Sequence, residues 1–371
     1  MNQVRVTRKG ADRVASGHPW IFASDVTDRG QAAPGDAVKV VDPKGRVLGT
    51  AHYSSISQIC LRLLSPRVEE IDAAWFQARI AAAEDHRRRV VHDTDAYRLV
   101  HAEADGLPGL IIDRYADYFA VQTLSQGMDR AKEWILAALP PSRGVVFRND
   151  APVRAKEALA LETVAASGEI PETVEVGMNG LRLHADLLRG QKTGIFLDQR
   201  ENYLAAARYA QGAALDAFTS TGGFALHLAA RCERVEAVDS SAAALETARR
   251  NAAVNGIAGA DFREADVFDL LAGYVSARRQ FSTIVLDPPA FAKSRGALDG
   301  AARGYKEINL RALRLLSPGG VLITCSCSHH MSEARLLEIV AEASLDAGRT
   351  LRVLERRTQA QDHPILLTVP E

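Results

Sequence analysis

The chain has 371 residues, 47% of them apolar and 25% charged, with a formal net charge of -1. That length exceeds what one hydrophobic core usually supports, so two or three domains are expected, and the composition argues against disorder, short repeats and low-complexity sequence. A near-neutral total excludes a uniformly basic nucleic-acid binder but not local basic patches, because charge distribution sets the electrostatic footprint.

The opening M-N-Q-V-R-V-T-R-K-G has no apolar core of signal-peptide length, and no run of about eighteen apolar residues follows, so a soluble cytoplasmic protein is expected. Cys60, Cys232, Cys325 and Cys327 are too few and too unevenly placed for a disulfide framework. Reduced thiols are expected.

Residues 1–70 read as a small β-rich module. V-R-V-T-R-K-G-A-D-R-V clusters Arg5, Arg8, Lys9 and Arg13, which fit a solvated terminal face and an RNA phosphate contact equally well. Pro34 to Tyr53 alternates apolar and polar residues on either side of D-P-K-G, the pattern of a β-hairpin. Residues 71–185 read as a compact α+β domain. It starts with a helix, D-A-A-W-F-Q-A-R-I-A-A-A-E-D-H-R-R-R, whose closing Arg87, Arg88 and Arg89 suit the negative end of its dipole. Two strands follow, L-P-G-L-I-I-D-R-Y and Y-F-A-V-Q-T-L, then a helix stopped by Pro140 and Pro141. The polar segment V-R-A-K-E-A-L-A-L-E-T reads as an exposed helix or loop.

Residues 186–371 change rhythm. Apolar strands alternate with helices, which indicates an α/β fold with a doubly wound, mostly parallel sheet. Ligands of such sheets lie at the carboxyl ends of the strands. The first of these strands ends at Asp216 and turns through A-F-T-S-T-G-G-F, where Gly222 and Gly223 allow close approach of a ligand and of the helix start. This is not the G-x-G-x-x-G fingerprint of a pyrophosphate site. The next strand ends in Asp239, placed to accept hydrogen bonds from ribose hydroxyls, and Asp266 follows a third strand, placed to accept from an adenine amino group. Any one of these acids could instead cap a helix. Acids at successive strand ends without a phosphate loop favour adenosine without pyrophosphate, hence S-adenosylmethionine rather than NAD.

The fourth strand ends in L-D-P-P-A-F, where two prolines fix the backbone after Asp287 and Phe291 offers an aromatic face to a base. L-S-P-G-G turns into a fifth strand, V-L-I-T-C-S-C, on which Cys325 and Cys327 share a face if the strand continues. A thiolate adding to C6 of cytosine activates C5 toward a methyl donor.

The chain resembles bacterial large-subunit (23S) ribosomal RNA cytosine-C5 methyltransferases of the RlmI type, a class I family dependent on S-adenosylmethionine. The resemblance is carried by H-P-W-I-F and P-G-D-A-V-K-V of a PUA-like RNA-binding module, by E-A-D-G-L-P-G-L-I-I-D-R-Y, and by G-Q-K-T-G-I-F-L-D-Q-R-E-N, A-F-T-S-T-G-G-F, L-D-P-P-A-F, G-Y-K-E-I-N and S-C-S. It implies a Rossmann-like methyltransferase domain after a PUA-like and a central domain. It also implies Cys327 as nucleophile, with Cys325 the alternative, and Asp287 at the cytosine edge. The implied cofactor pocket comprises Gln199, Arg200, Asp216, Phe218, Thr219, Ser220, Gly222, Gly223, Phe224, Asp239, Ser240, Asp266, Val267, Asp287 and Pro288, with Arg200 facing the methionine carboxylate. Phe291, Arg5 and Lys9 fall to the RNA, which is the expected partner. A homodimer is left open, and no membrane association is expected.

Three rivals remain at this point. C-x-C-x-H-H, from Cys325 to His330, carries metal-ligand types, but structural zinc draws paired ligands from separate segments and no C-x-x-C occurs elsewhere, so no metal is expected. Another ribosomal RNA base, a guanine or an amino group, could be the target, with Cys327 a core thiol. A non-catalytic RNA-binding or ribosome-assembly protein could retain the same fold.

Overall fold

A computed structural model describes residues 1–291, 296, 298–328 and 330–369. The chain divides into two compact units, one formed by Met1–Gly180, Ala185–Asp198 and Ala360–Glu371, the other by Leu181–His184 and Gln199–Gln359. Each is described by itself.

The first unit opens with β1 (Gln3–Val6), α1 (Arg8–Ala15), β2 (Trp20–Phe22), β3 (Val26–Asp28), β4 (Ala37–Val41), β5 (Val47–Tyr53) and β6 (Ile59–Ser65), whose strands form one sheet in the order β2-β6-β5-β4-β1-β3. The alternation in β4 buries Val38 and Val40 with Val4, Val6, Ile21 and Leu61. The D-P-K-G turn is held by Asp42, which accepts from the backbone amides of Lys44 and Arg46 at 2.9 and 2.8 Å. Thr7 caps α1. Of its basic residues, Arg13 lies over the Phe22 ring at 4.5 Å and Lys9 is exposed.

Next come α2 (Ala73–Val90), β7 (Ala96–His101), β8 (Leu110–Tyr115), β9 (Tyr118–Thr123), α3 (Gln126–Arg130), α4 (Lys132–Ala138), β10 (Gly144–Asn149), β11 (Glu162–Gly168) and β12 (Val174–Met178). The sheet order is β11-β10-β9-β8-β7. Helix α2 is capped by Asp72 and sets Phe76 and Ile80 into a core with Leu99, Ile112, Phe119 and Val121.

Two expectations change here. Arg87 does not serve a solvated helix end. It is fully buried, forks onto Asp105 at 2.5 and 2.7 Å, and donates to the carbonyls of Arg98 and Asp362, both at 2.9 Å. Within V-R-A-K-E-A-L-A-L-E-T, Arg154 and Glu157 are buried, pairing with Asp129 at 2.9 Å and Arg62 at 2.8 Å. The end of that segment enters β11, an edge strand antiparallel to β10. Because β11 is largely exposed, it lacks the apolar alternation that betrays a strand.

The second unit contains β13 (Leu181–Ala185) up to His184, then α5 (Arg200–Tyr209), β14 (Ala213–Ala217), α6 (Gly223–Ala229), β15 (Arg234–Asp239), α7 (Ala242–Val254), β16 (Ala260–Glu264), α8 (Val267–Ser276), β17 (Phe281–Leu286), α9 (Leu298–Leu315), β18 (Leu316–Thr324) and α10 (Glu333–Asp346). Its five strands are parallel, ordered β16-β15-β14-β17-β18. The order reverses on either side of β14, which opens a crevice at the carboxyl ends of β14, β15 and β17. Helix α9 buries Ala301, Tyr305, Ile308, Ala312 and Leu315 at helical spacing against Leu215, Ile284 and Leu286. Among the described residues no helix is long and apolar enough to cross a membrane.

Removing one partner of a buried ion pair leaves the other charge uncompensated. Asp105→Ala should therefore lower unfolding stability by about 3–5 kcal/mol in chemical denaturation. Arg88→Ala, at an exposed pair one residue along, should stay within about 0.5 kcal/mol. Equal effects of the two would show that Arg87 is not the buried anchor.

Candidate active site

Register brings the sequence motifs together. Ala217 of β14 stands level with Val238 of β15 and Leu286 of β17, and Leu286 with Thr324 of β18. Asp239, Asp287 and Cys325 are the next residues along three of these strands, and the A-F-T-S-T-G-G-F turn leaves the middle one.

That turn is strained and tightly held. Phe218 and Ser220 adopt left-handed φ of 68° and 49°, uncommon for residues with a side chain. Thr219 donates its amide to Val238 O, Ser220 donates to Asp239 Oδ2 and Gly222 donates to Thr219 O, each at 2.9 Å. Both glycines have reasons inside the protein. Gly222 sits at φ 89°, and a Cβ on Gly223 would lie 2.4 Å from the Tyr203 ring, so the space expected for a ligand at Gly223 is filled by a tyrosine. Phe224 meets Tyr203 edge-on with centroids 4.8 Å apart. The side chains of Phe224 and Val267 belong to the buried interior.

Asp216 is fully buried. Its Oδ2 accepts from Thr219 Oγ1 at 2.6 Å and from the Ala225 amide at 2.9 Å, while Oδ1 has no hydrogen-bond partner among the described residues. Burial pushes its carboxyl up to about 7, outweighing the bonds from Thr219 and Ala225, and the nearby charges of Asp287 and Asp239 add to the rise. Asp239 accepts from Ser220 and from Ser241 with one oxygen each, leaving lone pairs for further donors, and Ser240 lies between its strand end and α7. Asp266 is exposed and caps α8 through Oδ1, so the capping role weighed for it is present.

Across the crevice, Gln199 donates to Asp287 Oδ2 at 3.1 Å and accepts from Asn202 Nδ2 at 2.7 Å. Asn202 is itself held by Arg357 Nε at 2.8 Å and the Thr358 carbonyl at 3.1 Å. Arg200 is buried beside them and meets Glu201 at 3.2 Å. Asn202 closes the segment G-Q-K-T-G-I-F-L-D-Q-R-E-N, and nothing in the sequence marks it as the brace of Gln199.

The two cysteines differ. β18 ends at Thr324, so neither lies on the strand as expected, although the Cys325 amide still bonds Leu286 O at 2.8 Å. Cys325 is half-buried, and burial together with the Asp287 charge raises its thiol well above the ordinary value against the opposing bond from Gln199. Cys327 is exposed, with Sγ 3.6 Å from the Pro288 carbonyl. Phe291 packs between Tyr305 and Phe268, with centroids 4.8 and 5.9 Å away, so it offers a base less open ring face than the sequence implies. Arg5, half-buried and bonded to the Pro43 carbonyl at 3.2 Å, and Lys9 belong to the first unit. His329 lies outside the described residues. Among the described residues no group of three His, Cys, Asp or Glu could hold a metal ion.

Residues 4–66 match a family model described as a PUA-like domain, and residues 128–366 match one described as an S-adenosylmethionine-dependent methyltransferase. Ribosomal RNA large subunit methyltransferase I of Klebsiella pneumoniae is 41% identical over 366 residues, covering 95% of this chain and 92% of that protein. The protein of the same name from Shewanella amazonensis is 43% identical with the same coverage. The chain belongs to the ribosomal RNA large subunit methyltransferase I family. A solved methyltransferase complexed with S-adenosylhomocysteine shares the fold, with a TM-score of 0.85 at 20% identity over 100% of this chain and 97% of that one.

The cofactor of the family is S-adenosylmethionine, and the residues fit it. Oδ1 of Asp216, without a hydrogen-bond partner among the described residues, suits a cationic ligand, and the lone pairs left on Asp239 suit ribose hydroxyls.

The raised Asp216 carboxyl has a consequence for the free methyltransferase. Its folded value of about 7 lies above the 3.8 of an ordinary aspartate, so the stability it contributes is full at acid pH, below its unfolded value, and is lost as pH rises through about 7. Denaturation midpoints should therefore fall more steeply between about pH 4 and 7 in the native protein than in Asp216→Asn, which mimics the protonated form. Parallel slopes would mean that Asp216 titrates as an ordinary carboxylate.

Proposed function

We propose that the chain methylates C5 of a cytosine in large-subunit ribosomal RNA, with Cys327 as nucleophile and Asp287 at the cytosine edge. The observation that carries this reading is the exposed residue Cys327, its Sγ beside the Pro288 carbonyl of L-D-P-P-A-F, on the chain that follows the strand neighbouring Asp287. The substrate class follows from the relatives, which are named for large-subunit ribosomal RNA.

Bound S-adenosylmethionine supplies an electrophilic methyl on a sulfonium. The Cys327 thiolate adds to C6 of the base, and the C5–C6 π electrons become available at C5. C5 then takes the methyl, and S-adenosylhomocysteine leaves with the S–CH3 bonding pair. A general base removes the C5 proton, the C5–C6 double bond reforms, and the Cys327 thiolate departs. Asp287, steadied by Gln199 and Asn202, holds the N3 and N4 edge, assists protonation at N3 during addition and takes that proton back as the thiolate departs. Arg200 would meet the methionine carboxylate. A paired base cannot reach such a site, so the target is unpaired or flipped, with the PUA-like module and its Arg5 and Lys9 supplying phosphate contacts.

Cys325 is the poorer nucleophile because burial and Asp287 hold its thiol protonated. On ribosomal RNA from cells lacking the protein, Cys327→Ala should lower methyl incorporation at cytosine C5 by about a thousandfold or more, as expected for loss of a covalent nucleophile. Cys325→Ser should stay within about tenfold of wild type. Full activity of Cys327→Ala would sink the covalent mechanism, and loss confined to Cys325→Ser would move the nucleophile to that residue.

A further inference from the structure

Tyr305 belongs to G-Y-K-E-I-N on α9 and is fully buried in the interior of the methyltransferase unit. A buried tyrosine hydroxyl needs partners, and this one has two. It lies 2.9 Å from Ser326 Oγ and 3.0 Å from Ser328 Oγ, the hydroxyls on either side of Cys327. The Ser328 amide also donates to Ser326 Oγ at 3.3 Å.

We propose that Tyr305 is a positioning residue that clamps S-C-S at both serines and thereby aims the thiol of Cys327. This rests on the reading of Cys327 as nucleophile. The strand ends at Thr324 and the Cys325 amide bonds Leu286 O just past it, so S-C-S follows the strand rather than lying on it. The serine hydroxyls turn toward α9, while the intervening cysteine sulfur meets the Pro288 carbonyl at 3.6 Å. The Tyr305 ring lies 4.8 Å from Phe291, so the same side chain buttresses the chain just after L-D-P-P. Burial raises the tyrosine hydroxyl above its ordinary value, with the charges of Cys327 and Asp287 adding, so it stays a neutral O–H that can donate to one serine and accept from the other. Rigid placement matters because a displacement of about 1 Å at a reacting atom can cost about a hundredfold in rate.

The test compares Tyr305→Phe, which keeps the ring, with the double variant Ser326→Ala, Ser328→Ala, which leaves α9 untouched. Two readouts are taken on the intact protein: steady-state methylation of ribosomal RNA, and the rate of covalent adduct formation with the same RNA transcribed with 5-fluorocytidine, whose C5 fluorine blocks release of the thiol. Both variants should lose about 10–100-fold in kcat and in adduct rate, with KM for RNA and for S-adenosylmethionine within about twofold. Combining all three substitutions should cost no more than either set, because they cut the same clamp. Wild-type rates in the double serine variant, losses confined to KM, or losses that multiply on combination would overturn the proposal while leaving the nucleophile in place. Absence of any adduct with wild type would overturn the covalent reading and this proposal with it.

Discussion

Everything at the site depends on the carboxyl ends of parallel strands being held level. Backbone hydrogen bonding sets Ala217 beside Leu286 and Leu286 beside Thr324, so the residue after each strand emerges at one rim. A one-residue slip in β17 or β18 would turn Asp287 or the cysteine segment to the other face of the sheet. The apolar faces prevent that slip, because Ile284 and Leu286 would leave the core shared with Ile308 and Leu315 of α9. Precision in the chemistry is thus inherited from burial in the strands behind it, where the driving force is large and non-directional.

The rim contrasts with the core. Left-handed Phe218 and Ser220, an unpartnered oxygen on Asp216 and a carboxyl raised by burial are each unfavourable locally, and all lie within one turn and the strand end before it. Such features persist only when the surroundings over-determine them, and here three hydrogen bonds of 2.9 Å from backbone amides, two to carbonyls and one to Asp239, do so. A cation reaching Asp216 would relieve one of them, and its binding would then be coupled to the stability of the turn through one carboxylate.

Much of the candidate site's framework was legible because parallel buried strands read as apolar runs, and the acids at or beside their ends, Asp216, Asp239 and Asp287, stand out. The PUA-like hairpin was legible for the same reason, through its alternation around D-P-K-G. What escaped were partners far apart in sequence. Gly223 looked like room for a ligand because Tyr203, which fills it, lies outside the motif. Arg87 looked like a solvated helix end because Asp105 and Asp362 cannot be seen from its neighbours. β11 stayed hidden because an exposed edge strand needs no apolar alternation, and the early end of β18 set the two cysteines apart in ways that spacing alone could not.

The pairing of Arg87 and Arg98 with Asp362 carries one more implication. The chain leaves the first unit at Asp198 and rejoins it at Ala360, so the methyltransferase unit is an insertion within the first unit's sequence. The Arg98 amide bonds Asp362 Oδ2 at 2.8 Å across 264 residues, and Arg87 donates to the carbonyl of the same aspartate. During synthesis these donors must wait until the whole inserted unit has left the ribosome. The methyltransferase unit therefore has the opportunity to fold first, and the first unit closes last, on a segment made 264 residues after Arg98.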